Sequence, residues 1–207
     1  MEKMMLIGKT ALIVNEMQTG VVDPAHSSYQ GVANQVVERR IVPKIVRLAE
    51  AFRAAGLPVF HAPVIHRPDM RDIKPNSLIN ALTLKKRTMT EGSEEAGYVK
   101  ALHPVEGDFE IVRTSGLIVM CATQLDALLR RMEIETIVLT GVSTNVAMAG
   151  NAIVSSELGY HVVIPEDCIA GSDPDTHKIL VENQLRMVAR IVSSNDVLAA
   201  LPMNEPG

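Results

Sequence analysis

Thr136 to Ala147 reads TIVLTGVSTNVA, a β-branched apolar run that breaks into small polar residues before the helix-like AMAGNAIVSSELGY, which begins at Ala147. A strand that turns at once into a helix points side chains and free backbone amides into a cleft, where a nucleophile is useful. The last position of this elbow is Ala147, whose methyl group has no such chemistry. The layout suits a catalytic elbow from which the attacking group is missing.

Outward from the elbow, the same strand-then-helix alternation recurs. Apolar runs at Thr10–Met17 (TALIVNEM), Leu57–Ile65 (LPVFHAPVI) and His161–Asp167 (HVVIPED) read as strands, with FEIVRT from Phe109 and MVARIVSSNDV from Met187 as shorter candidates. Between the first two, Ile41–Gly56 carries apolar residues at helical spacing and closes on Gly56, a helix-ending signal. Ala122–Met132, Ala147–Leu158 and Thr176–Ala189 read as further helices. Alternation of this kind predicts an α/β chain, a three-layer α-β-α arrangement around a mainly parallel, Rossmann-like sheet of six strands. Ligands in such sheets bind beyond the carboxyl ends of the strands. Glu16, His61, Arg113 and the Ser143–Ala147 turn all fall at such positions. The polar, weakly periodic stretch from His66 to Gly97 reads as a long excursion over the site that shapes substrate choice.

A chain of 207 residues, 47% apolar and with a net charge of -4, is long enough for one good core and short for two, so residues 1–207 are expected to form a single domain. Scattered basic residues and 3% aromatics give no footprint for nucleic acid. The N-terminal MEKMMLIGKT is too short an apolar run for a signal peptide, and no stretch approaches the roughly 20 apolar residues of a membrane span. These features predict a cytoplasmic protein without a membrane or nucleic-acid partner. Cys121 and Cys168 are far apart and form no CxxC or Cys/His cluster, so neither a zinc site nor a disulfide is expected. Both are expected to be small buried side chains, although Cys121 could replace the missing nucleophile.

Thr10–Gln18 (TALIVNEMQ), Val42–Pro63, Phe109–Gly116 (FEIVRTSG), Thr123–Ala147 and Leu158–Gly171 together resemble the isochorismatase-like hydrolases, over roughly Lys9 to Leu201. That family includes nicotinamidases, carbamoylsarcosine amidases and isochorismatases, and its amidases usually carry an Asp, Lys and Cys triad. By resemblance the Asp falls on Glu16, followed by the matching Met17 and Gln18; the Lys falls on Arg113 and the Cys on Ala147. All three are changed, which is similar to a branch of the family lacking the nucleophilic cysteine. The resemblance also implies a cis peptide at the elbow, an oxyanion hole from the amides of Ser143 and Ala147, and homo-oligomers such as dimers or tetramers. Thr144 and Asn145 match the family's T-N, with roles divided between ordering the turn and touching substrate, and Val146 completes the turn. His61 and His66 could flank the cleft mouth, where nicotinamidases bind a metal through a D-x-H pair and a second histidine. Neither belongs to a D-x-H pair, so no metal and no cofactor is expected. Asp167 and His177 resemble framework positions.

Glu16 directly follows a buried strand, and a carboxylate there needs a partner or a raised pKa. It is read as the general acid or base, against a salt-bridged glutamate that merely orders the strand end. Arg113 stays charged at any working pH, so it can hold a carboxylate substrate, stabilise negative charge or pair with Glu16, but it cannot readily donate a proton. Without a thiolate no thioacyl enzyme forms at position 147. The expected function is hydrolysis of a small amide or ester without a cysteine nucleophile. The alternatives are vinyl ether cleavage with Glu16 as acid, or a silent small-molecule-binding protein. The elbow GVSTN, Gly141–Asn145, is similar to the amidase branch rather than to the isochorismatase-type GVYAH.

Overall fold

The computed structural model describes residues 5–114 and 117–202. Ser115 and Gly116, the end of the FEIVRTSG stretch, lie outside them. The strands are β1 (Lys9–Asn15), β2 (Val59–Ala62), β3 (Phe109–Glu110), β4 (Ile134–Val142), β5 (His161–Pro165), β6 (Ile169–Ala170) and β7 (Arg190–Val192). They form one sheet in the order β3-β2-β1-β4-β5-β7, with β6 added to the far end of β4. Every pairing is parallel. This is the expected sheet with one short strand more, because Ile169–Ala170 follows a turn that lets it rejoin β4 at Gly141 and Val142.

A parallel sheet buried on both faces needs apolar side chains of both parities, and β1 supplies them. Leu12 and Val14 pack on one face with Ile45, Leu48 and Phe52, while Ala11 and Ile13 pack on the other with Leu125, Leu129 and Leu185. Helices Gln30–Glu38, Ile41–Ala54 and Ser194–Ala200 cover the first face; Leu125–Arg131, Ala149–Glu157 and the run from Pro174 to Val188 cover the second. Ile41–Ala54 buries Ile41, Ile45, Leu48 and Phe52 along one stripe and stops where Gly56 adopts φ +68, with Leu57 N donating to Phe52 O at 2.9 Å.

Several boundaries differ from the sequence reading for identifiable reasons. Ala122 has φ +57, so the helix expected from Ala122 begins at Leu125, where Thr123 Oγ1 accepts from its amide at 3.1 Å. The turn at Ala122 also leaves Cys121 exposed, correcting the expectation that it is buried; Cys168 is buried, and desolvation pushes its thiol up to about 12. The helix expected from Thr176 starts at Pro174, capped by Asp173, which accepts from Thr176 N at 2.9 Å. The excursion His66–Gly97 contains a helix, Leu78–Lys86, capped by Ser77. Among the described residues no helix is long and apolar enough to cross a membrane.

Candidate active site

Strand order reverses between β1 and β4, and a crevice opens where neighbouring connections leave in opposite directions. Glu16 follows β1 and Ser143 follows β4, so the two sequence-marked segments meet at that point. Their ends are tied together closely. Asn15 pairs in register with Gly141, its side-chain amide donates to Val142 O at 2.6 Å, and Thr140 Oγ1 donates to Ile13 O at 2.9 Å. Gly141 has φ +103, and a Cβ there would lie 2.9 Å from both N and C of Asn15 and closer still to its carbonyl oxygen. Only glycine lets the strands approach this far.

The elbow itself follows a cis Val142–Ser143 peptide, the feature implied by the resemblance. The chain then enters a single π-helical turn, Thr144–Met148, that runs into the helix Ala149–Glu157. Ser143 O accepts from the amides of Val146 at 3.3 Å and Met148 at 3.0 Å, and the amide of Ala147 is not part of that bridge. Thr144 is fully buried and points away from solvent: its hydroxyl meets His177 Nδ1 at 2.9 Å, and His177 Nε2 meets Glu166 Oε1 at 2.8 Å. Arg39 closes this chain at 2.6 Å from Glu166. The hydrogen bond from His177, aided by Arg39, holds the Glu166 carboxyl down to about 2. Thr144 thus orders the elbow, and His177 anchors it as a framework residue. Asp167 accepts from Ser194 N and Oγ, both at 2.7 Å, another framework contact.

Glu16 has φ +53, an uncommon conformation for a residue with a side chain and one that marks functional sites. Its side chain is 14% exposed and forms an ion pair with Arg113 Nη2. Burial raises the Glu16 carboxyl above the ordinary range, while Arg113 and then Asn15 pull it the other way. Arg113 is itself buried, and its Nη1 donates to Ala62 O at 2.9 Å. It reaches this place because the chain beyond β3 rejoins β2, Arg113 N donating to Pro63 O and Ile65 N to Arg113 O. Gln18, buried next to it, receives Val64 N and donates to Val64 O and Ala96 O, which ties the excursion to β1.

A cavity of about 90 Å³, room for roughly three waters at liquid density, opens at the strand ends, and Glu16, His66, Ser143, Val146 and Ala147 all line it. Arg113 is not among its lining residues, and neither are Thr144 and Asn145; the Asn145 Oδ1 is buried with no hydrogen-bond partner among the described residues. The expectation for His61 is corrected. It is fully buried on β2, its Nε2 is 3.0 Å from Asp108 Oδ2, and Arg53 binds the same carboxylate through two nitrogens. Desolvation lowers the His61 imidazole, Asp108 opposing. It orders the β2–β3 edge and stands away from the cavity. His66 does line the cavity, its Nδ1 3.3 Å from Asp72 Oδ2.

Sequence reasoning missed the opposite wall. Tyr29, Val32, Asn80, Thr83, Met89 and Leu117, from three separate segments, line it together with Val21, Val64 and Ile79. Their one legible signal is the placement of Asn80, Thr83 and Met89 within the excursion expected to shape substrate choice. Among the described residues no group of three or more His, Cys, Asp or Glu side chains gathers as a metal would need.

Residues 10–196 match the model of the isochorismatase domain. The chain belongs to the isochorismatase family. It is 30% identical over 192 residues to the uncharacterized isochorismatase family protein YecD of Escherichia coli O157:H7, covering 93% of this chain and 96% of that one. It is 23% identical over 174 residues to the maleamate amidohydrolase of Pseudomonas putida, 82% of this chain and 76% of that one. Among solved structures, an isochorismatase family protein from Desulfovibrio vulgaris superposes with a TM-score of 0.79 at 26% identity, covering 92% of this chain and 98% of that one. The isochorismatase fold therefore accounts for the crevice between β1 and β4, and the sheet is the one the family resemblance implied.

Proposed function

We propose that this isochorismatase-family protein hydrolyses a small amide or ester by direct attack of water, without a covalent enzyme intermediate. The observation that supports this is the meeting of Glu16, Ser143 and Ala147 on one cavity wall. Water attacks the carbonyl carbon while the Glu16 carboxylate takes its proton. The resulting oxyanion accepts hydrogen bonds from the Ser143 and Ala147 amides. When the C–N or C–O bond breaks, Glu16 returns the proton to the leaving nitrogen or oxygen. A carboxylate raised by burial is a stronger base than an ordinary one, and its conjugate acid matches working pH more closely. Arg113 acts as a positioning residue, because its permanent charge fixes the Glu16 carboxylate without competing for the proton. Ala147 leaves the place of a thiol to the attacking water. The maleamate amidohydrolase of Pseudomonas putida indicates by its name that amide hydrolysis occurs among relatives.

Two observations favour other readings of the same residues. The raised Glu16 carboxyl suits an acid that protonates a vinyl ether, and the close Glu16–Arg113 contact suits a silent binding protein in which the carboxylate is fully engaged. A panel of small amides, ureas, esters and vinyl ethers tests all three, assayed with the native protein, Glu16→Gln and Ala147→Cys. The expected result is amide or ester turnover that falls about 10²–10⁴-fold in Glu16→Gln. Turnover confined to vinyl ethers supports the acid role, and turnover only in Ala147→Cys identifies an amidase scaffold stripped of its nucleophile. Unchanged turnover in Glu16→Gln removes Glu16 from the chemistry, and silence from all three variants favours the binding protein.

A further inference from the structure

Among the described residues lining the cavity there is no lysine and no arginine, and Glu16 is the only acid. Arg113 lies beside the cavity, but it is buried and its charge is met by Glu16. Most of the remaining wall is apolar, with Val21, Val32, Val64, Ile79 and Met89 facing the space. An anion entering such a site gives up its hydration without meeting a cation.

The polar side chains of the far wall have assignable proton roles. Thr83 has a single hydroxyl proton, and its Oγ1 donates to Ile79 O at 3.0 Å. The contact between Tyr29 Oη and Thr83 Oγ1, at 3.3 Å, therefore uses the tyrosine proton. Tyr29 is left with its oxygen lone pairs as acceptors. At His66, the Asp72 carboxylate facing Nδ1 can only accept, so Nδ1 carries a proton, and whenever the ring is neutral Nε2 is an acceptor. Glu16 in its ionised form is an acceptor as well. The Ser143 and Ala147 amides and the second N–H of Asn80 are donors that suit a carbonyl oxygen, the acceptors Tyr29, His66 and Glu16 call for a ligand that also donates, and the apolar wall between them calls for a carbon body.

We infer that the cavity takes a neutral ligand, a carboxamide or urea with an apolar body and N–H or O–H donors, and that it rejects carboxylates and phosphates. The inference rests on the reading of this cavity as the active site and deepens it by naming the substrate class. It also sets the chain apart from what the name of its Pseudomonas putida relative denotes, since maleamate carries a carboxylate beside its amide.

Binding, measured by calorimetry rather than by turnover, keeps this test separate from that of the hydrolase. The probes are two matched pairs small enough for the cavity, propanamide with propanoate and isobutyramide with isobutyrate, on the full chain at about pH 8, where an ordinary imidazole is neutral. Each amide is expected to bind at least about tenfold more tightly than its carboxylate. Asn80→Lys, which adds a cation at a partly exposed lining position, is expected to bring the two affinities together. A carboxylate that binds as tightly as its amide overturns the inference, as does failure of both amides to bind at about 10 mM. An unchanged ratio in Asn80→Lys overturns the placement of the ligand in this cavity. A preference for carboxylates accompanied by Glu16-dependent turnover would overturn the substrate class and leave the hydrolase reading standing.

Discussion

Replacing Gly141 by alanine tests the link between sheet and site more directly than changing any reactive side chain. The added Cβ lies 2.9 Å from N and C of Asn15 and nearer to its carbonyl oxygen, all backbone atoms of the paired central strand. Overpacking of this kind costs about 1–3 kcal/mol, and holding a residue with a side chain at φ +103 adds about 1–2 kcal/mol. The total expected is about 4 kcal/mol, which at about 2–4 °C per kcal/mol for a chain of this size lowers Tm by about 8–16 °C. Gly159→Ala is the control. Its φ is +93 but nothing lies within 4 Å of the added Cβ, so it carries the backbone strain alone and loses about 2–8 °C. Thermal unfolding followed by circular dichroism reads both. A Gly141→Ala variant whose Tm lies within about 3 °C of Gly159→Ala refutes the argument that strand contact, rather than φ, demands glycine here. Because Asn15 precedes Glu16 and Gly141 precedes the cis peptide, the same collision separates acid from elbow, and any turnover is expected to fall further than stability alone explains.

Arg113→Met leaves Glu16 buried without its partner, at an expected cost of about 3–5 kcal/mol in urea unfolding at pH 8. The loss shrinks as pH falls, because a carboxyl with a raised folded pKa stabilises the fold only when protonated; an equal loss at pH 5 and pH 8 would count against the ion pair. Glu166 has the opposite sign: held down to about 2 from 4.5, it contributes stability above the unfolded value that is lost as pH falls toward 2. Its side chain is 38% exposed, so solvent screens part of the effect. Glu166→Gln is expected to flatten the acid limb of the stability curve, and an unchanged limb assigns it to other carboxyls.

How far the sequence could be read depended on whether a segment's partners were local. Ala11–Val14 and Ile137–Leu139 are buried on both faces of a parallel sheet, so their unbroken apolar runs announced them. The edge run FEIV looked the same but pairs for only two residues, and Val112 is 50% exposed. Helix Leu78–Lys86 gave no stripe because it roofs a cavity instead of a core: Thr83 is its buried residue, while Leu78 is 77% exposed. His61 stood at the right end of the right strand, yet what decides its role is Asp108, 47 residues away, a pairing no local pattern encodes. Glu16, Ser143 and Ala147 were legible because a strand end fixes position whatever the rest of the chain does.

The three replacements at the positions marked by resemblance make physical sense together. A cysteine nucleophile needs a neighbouring group that exchanges its proton, and lysine and aspartate can change charge in concert around it. With Ala147 in place there is no thiol to activate, and a permanently charged guanidinium becomes compatible with the site. Arg113 then serves as an anchor, with one nitrogen on Glu16 and another on Ala62 O, both fixed to strand ends. The glutamate has one methylene more than aspartate and lines the cavity beside Ala147 even while engaged with Arg113. In the proposed reading, the proton work concentrates on a single carboxyl that burial has made more basic, and the charge that would otherwise attract an anionic substrate is spent on holding that carboxyl. On that reading, a cysteine-independent mechanism and a preference for neutral ligands would be two consequences of the same ion pair. Restoring the thiol alone, by Ala147→Cys, is expected to keep the preference for neutral ligands, because the ion pair is untouched, while filling the place of the attacking water.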